Sequence, residues 1–143
     1  MGIFSKSYID HLVVPSDATS LAELQGAIVG LQHFDQQQPN YGLPANVFAF
    51  VETLTWLSQS VRSGARTYFE STPDARIKAL QQILETIAPK ELIKHYRLGA
   101  TYLKEPDQDR PVDKWIVEKE RDLDAWLCEF VRSHREEFQA LIG

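Results

Sequence analysis

Four histidines, one cysteine and a short acidic run are the residues of this chain whose types could do chemistry, and their spacing limits what that chemistry could be. The histidines are His11, His33, His95 and His134. A zinc-binding helix of the HExxH kind needs two histidines one turn apart. His134 is followed by Arg135, Glu136 and Glu137 with no second histidine, so it reads as a surface histidine. Cys128 is the sole cysteine. A nucleophilic thiol needs a base beside it in space; its helical neighbours Asp124 and Arg132 decide nothing, and it reads as a buried or half-buried structural thiol. Glu105, Asp107 and Asp109 open like a calcium loop. That loop next requires an Asp or Asn, a glycine and a bidentate glutamate, whereas Arg110 and Pro111 follow, which leaves a solvated acidic loop. Neither a GxxxxGK phosphate loop nor a GxSxG nucleophile elbow occurs. The expectation is therefore a non-enzyme with no catalytic residue, no metal ligand set and no cofactor. A deep polar pocket around His95 or His33, with converging acids of perturbed pKa, would instead reveal an enzyme with a cryptic site.

Composition sets the frame for these residues. A chain of 143 residues fits one domain and buries roughly two thirds of its unfolded surface without a staple. The single cysteine forbids an internal disulfide and suits a reducing cytosol. No apolar run approaches the roughly eighteen residues of a membrane span. The start, MGIFSKSYIDHLVVPSD, lacks the basic and apolar regions of a secretory signal, and Lys6 stands where N-myristoylation wants Ser or Thr. A cytoplasmic protein that does not engage a membrane is expected. The formal net charge of −5 argues against direct nucleic-acid binding. The charge is uneven: residues 1–61 carry five acids and one base, 62–103 four acids and seven bases, and 104–143 eleven acids and seven bases. Acidity at both ends and a mildly basic middle bear on association with partners, not on fold.

The elements that must position these residues are helices. Residues 1–16 read as irregular. Ser20 with Glu23 reads as a capping box, opening a helix with Leu21, Leu24, Ile28, Leu31 and Phe34 at helical spacing. After the polar loop QQQPNYG, Pro44 stands at a helix start. Val47, Phe50, Val51, Leu54, Leu57, Ser58 and Val61 then form the strongest stripe in the chain, closed by Gly64 as a left-handed C-terminal residue. Thr72, Pro73 and Asp74 read as cap, first turn and acidic first turn. They lead into a helix burying Ile77, Leu80, Ile83, Leu84 and Ile87. Ala88-Pro89 forces a break, and Leu92, Ile93, Tyr96, Ala100 and Leu103 follow as the next helix. From Asp113 onward the spacing predicts one long helix, or two with a bend near Glu120. The fold class is all-α: a single-domain irregular bundle of five to seven helices over 1–143, with no strand. Trp56 lies opposite the 47–61 stripe on the helical wheel, as a core residue of a helix buried on two faces or as an exposed aromatic anchor for a partner.

Val61-x-x-Gly64-Ala65-x-x-x-Phe69 resembles the signature of the bacterial, all-helical DNA-mimic protein family, in which a helix ends in roughly V-x-N-G-G-F-x-Q-F-F. ALQQILETIAPKELIKHYRLGATYL, residues 79–103, is similar to that family's broken helix pair, and LDAWLCEFVRSHREEF, residues 123–138, to its closing helix. The resemblance covers about residues 47–138. Ser63, Ala65, Arg66 and Tyr68 depart from the signature. What the resemblance implies is a cytoplasmic, non-enzymatic, dimeric protein that presents carboxylates in place of DNA phosphates to a DNA-binding regulator. A basic groove built for phosphates accepts such carboxylates with salt-sensitive affinity. The expected function is thus a regulator that binds a basic partner protein through an acidic surface. The candidate contacts are Glu105, Asp107, Asp109, Asp113, Glu118, Glu120, Asp122 and Asp124, with Trp56. An immunity protein that neutralises a bacterial toxin is the alternative, since toxins often have basic active sites.

Overall fold

The computed structural model describes residues 5–101 and 109–142, and among these every regular element is a helix. Nine helices occur in the described residues, against the five to seven expected. The excess has local causes. The segment expected to be irregular contains α1, Lys6–Leu12. Seven residues cannot hold a helix by propensity alone. This helix is fixed by the Ser5 side chain, which accepts from the Tyr8 N–H at 3.2 Å, and by burial of Ile9 and Leu12. The C-terminal region forms three helices: α7, Asp109–Glu118, α8, Glu120–Ser133, and α9, Arg135–Ile142. The bend predicted near Glu120 is the junction of the first two, and a second break falls at His134.

Within the domain expected over 1–143 the chain divides into two compact units, one of residues 1–54 with 121–143 and one of residues 55–120. The first unit holds α1, then α2, Ala18–Val29, the first half of α3, Ala45–Ser63, and α8 with α9. The cap of α2 is Asp17, not the expected Ser20. Asp17 Oδ1 accepts from the Ser20 N–H at 2.8 Å, while Ser20 Oγ accepts from the Asp17 N–H at 3.0 Å. The box is therefore shifted by three residues, because an Asp carboxylate is the stronger acceptor for exposed helix N–H groups. Leu21, Leu24 and Ile28 are buried as the spacing predicts. Tyr41 adopts a left-handed backbone, φ +59, in the loop before α3. Its ring stacks on Phe34 at 4.6 Å and its hydroxyl bonds the buried Glu52 carboxylate of α3. Phe50 meets Phe138 of α9 edge to face at 5.6 Å.

The second unit holds the end of α3 with α4, Ala65–Ser71, α5, Asp74–Ile87, α6, Lys90–Ala100, and α7. Gly64 has the expected positive φ, +90, but its ψ of 147 lies outside the left-handed helical region, and it acts as the N-cap of α4. Thr72 does not cap α5: its hydroxyl donates to the Tyr68 carbonyl at 2.6 Å and so closes α4. The core of this unit is aromatic. Trp56 meets Tyr96 edge to face at 4.9 Å, and Phe69 packs on Tyr96 at 5.2 Å. The Tyr68 and Tyr96 hydroxyls lie 2.9 Å apart. Phe69 reaches so close to α6 that only a glycine fits at position 99.

Candidate functional site

Trp56 is a core residue. It is 0% exposed, so it offers no surface to a partner, and the reading of it as an exposed anchor is corrected. Of the two readings the wheel left open, the helix buried on two faces is the one observed: Phe48 and Trp56 are as inaccessible as Val47 and Phe50, whereas Ser58 and Val61 at the end of the predicted stripe are exposed.

Asp113 is half-buried and serves α4. Its Oδ1 accepts from the Ala65 N–H at 2.6 Å. The family-motif positions thereby acquire a structural account. Gly64 takes a backbone conformation that L side chains rarely adopt, which turns the Ala65 N–H toward the carboxylate of a residue 48 positions away. Ala65 and Phe69 are buried and Val61 is 47% exposed. Glu118 is exposed and lies 3.9 Å from Lys114, an intrahelical pair of small energetic weight. Glu120 is exposed. In the other unit, Asp122 is exposed and Asp124 half-buried. Asp109 opens α7, and Glu105 and Asp107 lie outside the described residues. The eight acids expected to form one surface therefore divide between the two units and the undescribed segment.

A different grouping emerges from the fold. Residues 1–54 and 121–143, most of the acidic N-terminal segment and the last part of the acidic C-terminal one, belong to one unit. Residues 1–54 with 121–143 carry ten acids and four bases, a formal charge of −6, and residues 55–120 carry ten acids and eleven bases, a charge of +1. Asp10, Asp17, Glu23, Asp122, Glu129, Glu136 and Glu137 are all exposed in the acidic unit. Several are held in place by neutral donors that leave their charge intact: Tyr8 Oη donates to Glu23 at 2.9 Å, Asn46 Nδ2 to Glu137 at 2.8 Å and Gln139 Nε2 to Asp10 at 3.0 Å. Glu129 lies 3.9 Å from Arg132. The Asp17 carboxyl is held below its ordinary range, first by the Ser20 backbone N–H and then by the Ser20 side chain. Counting charges along the chain shows acidic ends, but not that they share a unit.

His11 and His33 are exposed, and the remaining nucleophile and base candidates are engaged or enclosed. His95 is buried, its ring stacked on Trp115 at 4.1 Å and 5°, with Nδ1 2.7 Å from the Glu91 carbonyl. That contact requires the Nδ1–H tautomer for donation. His134 is half-buried with Nδ1 2.9 Å from the Phe130 carbonyl, where a surface histidine was expected. Cys128 is buried, and desolvation is the leading cause of a raised thiol pKa, which keeps it protonated. Clefts occur on both units. One of about 250 Å³ lies at the α8–α9 junction, lined by residues 132–137, and a shallower one of about 330 Å³ lies on α6, lined by Lys94, Arg97, Leu98 and Thr101. No group of three or more metal-ligating side chains occurs among the described residues, and no described helix is long and apolar enough to cross a membrane.

No family model matches the chain, and neither the curated proteins nor the solved structures compared with it give a match.

Proposed function

We propose that this chain is a non-enzymatic, cytoplasmic regulator that binds a basic partner protein through the acidic unit formed by its two ends. The observation that carries the reading is the concentration of ten acids against four bases in that unit, with seven of the acids exposed on α1, α2, α8, α9 and the turn before α2. Asp122, Glu129 and Glu136 are the contacts we assign first. Exposed pairs are individually weak, so such a surface works by summed field and steering, with affinity that falls as salt rises. A partner built to neutralise phosphates meets this requirement, in keeping with the DNA-mimic resemblance. A homodimer would double the acidic area. An immunity role uses the same surface against a toxin.

The test is an affinity pull-down of the tagged chain from native lysate, washed at low and at high salt, beside the variant Asp122→Lys/Glu129→Lys/Glu136→Lys. Recovery of a basic DNA-binding protein that salt releases and the variant fails to capture supports the proposal, and competition of that protein with its DNA supports mimicry. A secreted toxin held through both washes selects immunity. Capture of the same partner by wild type and variant alike overturns the acidic contact.

A further inference from the structure

The unit of residues 55–120 presents the opposite charge on one helix face, independently of the acidic surface. Lys90, Lys94 and Arg97 of α6 and its C-cap Thr101 recur at the spacing that places side chains on one face, and all four are exposed. Leu98 lies among them, half-exposed, in the shallow cleft of about 330 Å³. Arg97 carries a carboxylate already: Glu85 reaches across from α5 and bonds its guanidinium. Lys90 and Lys94, like Lys78 on α5, have no ion-pair partner among the described residues. Glu91, on the same helix, lies 3.9 Å from His95 Nδ1. Residues 62–101 carry seven bases against four acids, and two of those acids, Glu70 and Glu85, are paired with Arg66 and Arg97. The unsatisfied charge on this face is therefore positive, with an apolar side chain at its centre.

We propose that this face of α6 docks an acidic protein segment, one that presents carboxylates to Lys90 and Lys94 around an apolar side chain seated on Leu98. Charge complementarity selects the occupant's sign. Leu98 selects a peptide over a phosphate, because a phosphodiester backbone has nothing to place on a half-exposed leucine. A nucleic-acid site also gains its affinity from many phosphate contacts, and two free lysines on a chain of net charge −5 do not supply them. The chain would then join a basic partner on one unit to an acidic partner on the other.

The probe is a fluorescein-labelled peptide with glutamates on both sides of a central leucine, followed by fluorescence anisotropy on the intact chain. Binding is expected to weaken with added salt, to fall about tenfold in Lys90→Glu/Lys94→Glu, to fall less in Leu98→Asn, and to persist in Asp122→Lys. If the double reversal loses its helical circular dichroism, Lys90→Gln/Lys94→Gln takes its place. Absence of binding, equal binding by the charge-reversed chain, or displacement of the peptide by poly-U without any effect of Leu98→Asn overturns the proposal. Displacement by excess unlabelled chain alone would make the occupant a second copy and would overturn the separate-partner reading.

Discussion

Replacing Gly99 by alanine tests the close approach of α4 to α6 with a single methyl group. A Cβ at position 99 would lie 2.1 Å from Phe69 Cε2, 2.7 Å from Cζ and 2.9 Å from Cδ2. Phe69 cannot simply rotate away: it is 2% exposed and wedged against Tyr68 at 4.9 Å and Tyr96 at 5.2 Å. Overpacking of this kind costs about 1–3 kcal/mol or more, while alanine gains about 1 kcal/mol over glycine in a helix interior. With three ring atoms inside 3 Å the cost falls in the upper part of that range, so the steric term wins, leaving a net loss of about 1–2 kcal/mol, which for this chain length lowers Tm by roughly 3–6 °C. Gly26 is the internal control. It is exposed within α2 with nothing within 4 Å of an added Cβ, so Gly26→Ala keeps only the propensity term and raises Tm by about 3 °C. Thermal and urea unfolding of both variants, followed by far-ultraviolet circular dichroism, measures the contrast. Phe69→Leu removes the ring atoms that collide, so Gly99→Ala should cost less in that background, with a coupling energy of about 1 kcal/mol or more. A Gly99→Ala protein that melts at or above wild type, or a double-mutant cycle with no coupling, refutes the packing argument.

Two further outcomes follow from the polar contacts. Asp113→Ala should destabilise by about 1–2 kcal/mol and accelerate hydrogen exchange at the Ala65 amide, with Asp113→Asn intermediate because an amide oxygen still accepts; unchanged exchange at Ala65 would remove the cap from the account. Asp17, whose carboxyl is held below its ordinary range, contributes stability that is present above that range and lost as pH falls below about 4. Asp17→Asn should therefore flatten the acid limb of the stability profile, and an Asp17 carboxyl resonance titrating at or above the ordinary value would contradict this.

Much of the fold is written in local pattern, and the exceptions have identifiable causes. The helices over 45–63, 74–87 and 90–100 follow from apolar spacing and from Pro73 and Pro89, because periodicity and proline act within a few residues. Helix α1 escaped because two buried residues in seven make no readable period; neighbouring elements hold it. The cap at Ser20 was misplaced because Asp17 and Ser20 each fit the pattern, and only the observed backbone, extended at Asp17, decides between them. Thr72 fits the pattern of a forward cap, but its hydroxyl bonds back to Tyr68, a choice set by one rotamer.

By itself the sequence determined that the described residues are all-helical, that Gly64 is a break with positive φ, that Cys128 is an enclosed thiol and that the charge alternates acidic, basic, acidic. Those follow from backbone sterics and composition, which are local or additive. The tertiary structure alone decided that Trp56 is core, that Asp113 caps a helix 48 residues earlier, that residues 1–54 and 121–143 share one acidic unit, and that α6 carries lysines with no ion-pair partner among the described residues. Each of these depends on which distant segments meet, and burial and charge pairing are properties of that meeting.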